Sequence, residues 1–286
     1  MTAHPINFGR VSQYILLYIF LICLVVFSLF PIIYAFFGSF KPNQEFLLGG
    51  PRLLPKVWRF DNYKDAWRLA NFARYTWNSV FVTVFTVVGV LLISSIGGYV
   101  LARFRFPGKG IIITGLLATL FFTGGTITIY PLFRIAKFFH IHTSLWGIIT
   151  VEVLRIDVAK IFLFMGYMRG ITRDIDQAAT IDGCGPFRIY WQILMPLSVP
   201  IIATIILLTF KESWNAYLLP LVFTMANPKL RTLTVGVISL RETHDAAAAW
   251  NLMLAGSAIS LVPIILIYGA ANRFFIRGIT AGAVKG

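Results

Sequence analysis

Charge is scarce in this sequence. Asp, Glu, Lys and Arg make up 13% of its 286 residues, about half of the roughly 25% usual in a soluble domain. A chain so poor in charge has little surface to offer water, which excludes an ordinary cytosolic globule. Cysteine is nearly absent too, with Cys23 in an apolar run and Cys184 in a glycine-flanked turn. Two isolated thiols supply neither a disulfide framework nor a metal-ligand spacing. Of the four histidines, His140 and His142 are two apart and His4 and His244 stand alone, which reads as polar residues facing water and no metal site. The phosphate-cradling pattern G-x-x-x-x-G-K-[ST] is missing, so this chain has no ATP loop of its own. No catalytic constellation stands out.

What is present is apolar. Hydrophobic residues reach 58% and the mean hydropathy is +0.79, so the natural solvent is a bilayer. Six runs, roughly 14–38, 76–102, 111–133, 146–168, 199–222 and 251–272, can each cross about 30 Å of hydrocarbon as a helix. Alternation of period two is lacking, which excludes a barrel. The expectation is an all-α membrane protein with six transmembrane helices in a single domain, 1–286. The first run is longer than a signal-peptide core and has no small-residue cleavage site, so it reads as a retained span.

Six spans put both termini on one side of the membrane. That side carries ten Lys and Arg and the other twelve, so the positive-inside rule leaves the orientation open. Three acids on the first side and five on the second bring each to +7, while the spans hold three bases and three acids. Intramembrane charge is thus balanced, as the cost of an unpaired ion in lipid demands. The overall +14 points to lipid headgroups and partner subunits rather than nucleic acid.

Between the fourth and fifth runs lies DQAATIDGCGPFRIYWQILMPLSVP, Asp176–Pro200. Ile175, Ala178, Ala179 and Asp182 recur at helical spacing, Gly183 can end that helix, and Gly185-Pro186 makes a turn. Phe187, Tyr190, Ile193 and Leu194 then form a second short apolar face. The reading is a helix–turn–helix at the membrane surface. By physics alone it is equally a docking element for a partner's groove and an amphipathic element resting on lipid.

The stretch resembles the cytoplasmic coupling loop of ABC importer permeases, whose pattern is E-A-A, three residues, G, nine residues, I-x-L-P. Here it runs Gln177-Ala178-Ala179, Gly183 and Ile193-Leu194-Met195-Pro196. Spacing is kept, while Gln177 stands for Glu and Met195 for Leu. Gln keeps the length of Glu but drops its charge. The carbohydrate-uptake (maltose-type) branch is also resembled by SFK (Ser39–Lys41), YVLARFRFPGK (Tyr99–Lys109), SWNAYLLPLVF (Ser213–Phe223) and FFIRGITAGAVKG (Phe274–Gly286). The resemblance spans nearly the whole chain.

It implies a permease that is not itself an enzyme, with ATP and Mg bound by a partner ATP-binding-cassette ATPase dimer. It also implies a second, similar permease (usually a heterodimer), an extracytoplasmic solute-binding protein and a saccharide substrate. The coupling loop, 170–198, would be cytoplasmic. Both termini would then be cytoplasmic in a bacterial or archaeal plasma membrane. Gln177, Ala178, Ala179, Asp182, Gly183, Ile193 and Pro196 would contact the ATPase, and Gly278, Gly282 and Lys285 would reach it from the tail.

The remaining candidates lie inside spans. Glu152, Arg155, Asp157 and Lys160 fall near the middle of the fourth run, where Glu152 with Arg155 and Asp157 with Lys160 are spaced to pair along a helix. Lys211, Glu212, Trp214 and Asn215 fall in the fifth. All eight either line a substrate path or pack against a partner permease; Trp214 and Asn215 suit a sugar's apolar face and hydroxyl edge, or else packing and capping. Basic outer segments with Arg155, Lys160 and Lys211 would suit an acidic oligosaccharide, or simply dock an acidic binding protein. The alternative class is an ion-coupled secondary transporter that uses the intramembrane acids.

Overall fold

The computed structural model describes residues 8–48, 52–69, 71–121, 125–240 and 249–283. Among these, every regular element is helical, as expected of a backbone that must satisfy its amides without water. In order they are α1 (Phe8–Gly38), α2 (Asn43–Leu48), α3 (Asp61–Leu69), α4 (Phe72–Arg103), α5 (Lys109–Phe121), α6 (Ile129–Phe138), α7 (Leu145–Leu154) and α8 (Val158–Gly170). There follow α9 (Asp174–Ile181), α10 (Pro186–Leu197), α11 (Val199–Trp214), α12 (Leu218–Thr224), α13 (Leu233–Ser239) and α14 (Trp250–Ala283).

Three helices are long and apolar enough to cross a membrane unaided: Gln13–Gly38, Phe72–Arg103 and Trp250–Gly269. The uninterrupted helices expected over 111–133, 146–168 and 199–222 are each broken. The third run, α5–α6, turns by 116°, with Gly125 in the left-handed region (φ 49°) that glycine adopts without strain. The fourth run parts at 155–157, where Ile156 has φ 35° and the Asp157 carboxylate accepts the Lys160 amide to start α8 afresh. A short polar side chain that bonds the backbone competes with helix continuation. The fifth run parts at 215–217, just ahead of Pro220, whose ring would clash with a continuing turn. Counting each of two bent pairs, α5–α6 and α10–α11, as one crossing gives five.

One compact unit joins the segment up to residue 70 with 237–259. The SFK motif closes it. Lys41 is buried, donates to the Arg52 carbonyl and lies over the rings of Tyr34 and Phe46 at 5.2 and 5.5 Å. Asn62 Nδ2 donates to the carbonyls of Ser39 and Lys41, both at 2.8 Å, while its Oδ1 accepts from Asn251 Nδ2. The ammonium is held by aromatic faces and a carbonyl in place of an acid.

The other unit joins 71–236 with the segment from 260, and α4 is its central element. Half of its fourteen buried positions carry Gly, Ala, Ser or Thr: Ser79, Thr83, Thr86, Ser94, Ser95, Gly98 and Ala102. Side chains of this kind let helices approach closely in lipid. A Cβ on Gly98 would lie 2.8 Å from the Met165 nitrogen, and one on Gly89 would lie 2.6 Å from Val153. α8 therefore packs against α4 almost backbone to backbone, while on the α7 side the Val153 side chain fills the space over Gly89. Apolar clusters form toward both ends of α4, one around Tyr99, Phe164, Leu194 and Ile205, the other around Val82, Ile148 and Phe223.

Candidate functional site

The stretch between α8 and α11 is a helix–turn–helix. α9 ends at Ile181, and Gly183 takes φ 79°. The Gly183 and Cys184 amides then donate back to Thr180 and Ala179, at 3.0 and 2.9 Å, satisfying the last free carbonyls. Pro186 opens α10 at the position where no amide is needed. α10 carries a π turn over Ile189–Leu194 and meets α11 at 80°. Gln177, Ala178, Asp182, Gly183 and Pro196 are exposed, Ile193 is half-buried and Ala179 is buried. The second apolar face expected from spacing is split: Tyr190 and Leu194 enter the core while Phe187 points out. The π turn, with its i→i+5 bonding, shifts the register on which that face relied. Ile181 and Phe187, 87% and 76% exposed, flank the turn as bare apolar tips.

The loop is bound to the core at both of its helices. Arg103 Nε, in the last turn of α4, lies 2.9 Å from Asp176 Oδ2 in the first turn of α9, and Arg103 Nη2 donates to the Ile171 carbonyl at 3.1 Å. Arg173 Nη2 donates back to Ala102 at 3.4 Å. Tyr99 donates to the Pro186 carbonyl at 3.0 Å, and its ring stands 5.2 Å from that of Tyr190. The Tyr190 hydroxyl shares a 2.7 Å hydrogen bond with Ser95 Oγ. Tyr167, on α8, donates to Leu197 at 3.0 Å. Partial burial raises the Asp176 carboxyl above its usual value, with Arg103 and Arg173 opposing. These contacts make loop, α4 and α8 one mechanical piece.

Comparisons with known proteins place this architecture. The chain is 31% identical over 278 residues to a probable ABC transporter permease protein, YurM, of Bacillus subtilis, covering 97% of this chain and 89% of the relative. The arabinooligosaccharides transport system permease protein AraQ of the same organism is 32% identical, covering 95% and 96%. The chain belongs to the ABC transporter permease family. The Escherichia coli inner membrane ABC transporter permease protein YcjP is 30% identical across the full length of both chains. Among solved structures, a bacterial ABC transporter involved in the import of the acidic polysaccharide alginate superposes with a TM-score of 0.80 at 24% identity, covering 96% of this chain and all of that one. No family model matches the permease. Permease subunits of this kind are not enzymes.

The intramembrane charges of the permease gather where the fourth and fifth runs break. Lys160 is buried, and its Nζ lies 2.8 Å from Asp157 Oδ2 and 2.5 Å from Glu212 Oε2, tying α8 to α11. Glu152 forms no ion pair with Arg155 among the described residues, because the helix that would align them has ended. Instead one Glu152 oxygen accepts from Thr86 and Ser213, both at 2.9 Å, bridging α4, α7 and α11. Arg155 and Lys211 are exposed. Trp214 is buried and stacks on Phe210, and its indole donates to the Ser260 carbonyl at 3.3 Å. Asn215 caps α11 by donating to the Lys211 carbonyl at 2.8 Å. So Glu152, Asp157, Lys160 and Glu212 converge on a polar junction, and Trp214 and Asn215 sit as packing and capping groups.

Of the tail candidates, Gly278 and Gly282 lie within α14, and Lys285 lies outside the described residues. Spacing alone passed over Thr86 and Ser213, the partners of Glu152, and Ser95, Tyr99, Arg103, Asp176 and Tyr190, the tether of the loop. Tyr99 and Arg103 sit in a motif whose resemblance was clear, yet a single sequence carries no signal of contacts made about 70 residues away.

Proposed function

We propose that this permease is one of two membrane subunits of an ATP-driven importer that takes up an oligosaccharide. Relatives covering nearly the whole chain carry the reading: permeases for arabinooligosaccharides, diacetylchitobiose and galactooligosaccharides. In it the chain crosses the inner membrane six times, 145–170 counting as one interrupted crossing, with both termini and the loop 170–198 in the cytoplasm. A second permease completes the path. A separate ATPase dimer grips the turn at Gly183, the bare Ile181 and Phe187 filling its clefts, while the tail, with Gly278, Gly282 and Lys285, reaches the same subunits. Because the loop is laced to α4 and α8, closure of the ATPases on ATP would turn those helices as a rigid body. The polar junction around Glu152, Asp157, Lys160 and Glu212, with Arg155 and Lys211 beside it, lies at the breaks that face the path. A solute-binding protein delivers the sugar from outside.

An acidic oligosaccharide is the second reading, favoured by the exposed cations Arg155 and Lys211; Lys160 no longer supports it, being held by two carboxylates. Co-purification of the chain in mild detergent, followed by reconstitution, tests the assignment. An ATPase and a second permease should accompany it, and oligosaccharide with its binding protein should stimulate ATP hydrolysis. A chain that purifies alone and stable sinks the importer. Uptake of neutral but not uronate oligosaccharides removes the acidic reading.

A further inference from the structure

A second charged feature lies beside the loop, and of its four cations only Arg173 also serves the loop's attachment to the core. The turn between α4 and α5 brings Arg105 and Lys109, and the turn between α8 and α9 brings Arg169 and Arg173. Two hydrogen bonds lace these turns together, Arg173 to Ala102 and Arg103 to Ile171. Lys109 is bent back onto its own turn, its Nζ 2.8 Å from the Phe104 carbonyl. Partial loss of hydration lowers the Lys109 ammonium below its usual value, and the guanidinium groups of Arg169, Arg173 and Arg105 lower it further. Among the described residues none of the four cations joins an ion pair. Asp174 adjoins Arg173 in sequence, and Asp176, which also feels Arg173, is taken by Arg103.

Like charges held together without a counter-ion repel one another unless an anion sits among them. What anion this would be follows from what adjoins the patch. α5 starts at Lys109 and is apolar along its length, with Ile111 80% exposed and Ile112, Leu117 and Leu120 each more than 40% exposed. A soluble anion would have no use for that surface, whereas a phospholipid presents phosphate and acyl chain together.

We infer that Arg105, Lys109, Arg169 and Arg173 form a headgroup site for an anionic phospholipid of the inner leaflet, with its acyl chain lying along α5. The inference rests on the proposed topology, which puts both turns at the cytoplasmic boundary. A lipid phosphate here would bridge the α4–α5 and α8–α9 turns, and so stiffen the base from which the loop projects.

The test uses the full chain with whatever subunits co-purify, placed in nanodiscs of phosphatidylcholine containing phosphatidylglycerol. Native mass spectrometry then counts retained lipid. The wild type should hold phosphatidylglycerol in preference to phosphatidylcholine. Changing Arg105, Lys109 and Arg169 together to Gln should lower that preference about a hundredfold, about 1 kcal/mol or fivefold for each charge removed. A version with Arg105→Lys and Arg169→Lys should keep it, which controls for folding. Equal preference in the Gln variant overturns the inference, as does displacement of the lipid by inorganic phosphate, which would mark a soluble-anion site. Lipid retention needs neither substrate nor ATP, so failure of the importer assignment would show separately, in absent ATPase stimulation.

Discussion

Arg103 Nε and Asp176 Oδ2 lie 2.9 Å apart and join the last turn of α4 to the first turn of α9, with side chains 8% and 21% exposed. The residue in the usual charged position, 177, is a neutral Gln, exposed to solvent. The charge that matters to the loop's own placement is therefore one residue earlier and points inward. Arg103→Gln or Asp176→Asn should leave ATP hydrolysis by the assembled complex running while transport per ATP falls several-fold. The exchange Arg103→Asp with Asp176→Arg should recover part of the loss. Equal loss of hydrolysis and transport in the single variants would mean that the pair holds the complex together and does not transmit motion.

The burial of the same aspartate sets the sign expected for a pH dependence. Burial raises its carboxyl, against the pull of Arg103 and Arg173. A group whose folded-state pKa is raised binds more proton in the folded protein than in the unfolded one. Its contribution is then most favourable at low pH and declines as pH rises from about 3.9, the ordinary carboxylate value, through the raised one. Thermal unfolding of wild type and Asp176→Asn across that acidic window should show the wild type losing ground as pH rises. A gap that widens in the opposite direction would mean the ion pair outweighs burial.

The fate of the sequence expectations turns on the range of the interactions involved. The helix–turn–helix was readable because its signals are local: Gly183 for a positive φ, Pro186 for a first helical turn, alanines at helical spacing. The long apolar helices were readable for the same reason. The breaks in the fourth and fifth runs were not, since hydropathy averaged over a span's length of about 20 residues passes over the polar clusters at 152–160 and 211–215 and sees one continuous run. What restarts α8 is a carboxylate that bonds the Lys160 amide and ammonium, while that ammonium also reaches Glu212 across 52 residues. Likewise Glu152 was matched to Arg155 by spacing, yet its oxygen is held by Thr86 and Ser213, two hydroxyls from other helices. Partners distant in sequence replaced near ones wherever the backbone left the helix.

Close approach at α4 makes a sharp pair of substitutions. A Cβ at 98 would stand 2.8 Å from both the Met165 nitrogen and Phe164 Cβ, whereas a Cβ at 97 meets nothing nearer than Ile161 Cγ2 at 3.4 Å. Backbone cannot yield as a side chain can, so Gly98→Ala must push α8 away from α4. It should cost about 1–3 kcal/mol, the usual range for overpacking, read as a lowered unfolding midpoint in detergent. Gly97→Ala should be close to neutral. If both behave alike, α4 and α8 do not pack as described.

The polar junction supplies the most discriminating measurement. Lys160 is 4% exposed along its side chain and is the shared cation of Asp157 and Glu212, which are 33% and 60% exposed. Replacing it by Met removes the charge but keeps most of the volume, so the loss falls on two carboxylates left without a partner. Asp157 bears most of that loss, since water can reach Glu212 more easily and screens it. Asp157 also starts α8, so its repulsion from Glu212 would loosen the helix start as well. Lys160→Met should therefore destabilise more than Glu212→Gln. The double variant should be less destabilised than the sum of the two, by about 0.5–3 kcal/mol, the span found for residues that share a network. Strict additivity would show that Lys160 and Glu212 act independently, and α8 and α11 would then be joined by packing alone. A positive coupling, with uptake abolished in Lys160→Met and partly regained in the double variant, would make the junction a moving part of the path, because restoring charge balance would restore transport without restoring the ion pair.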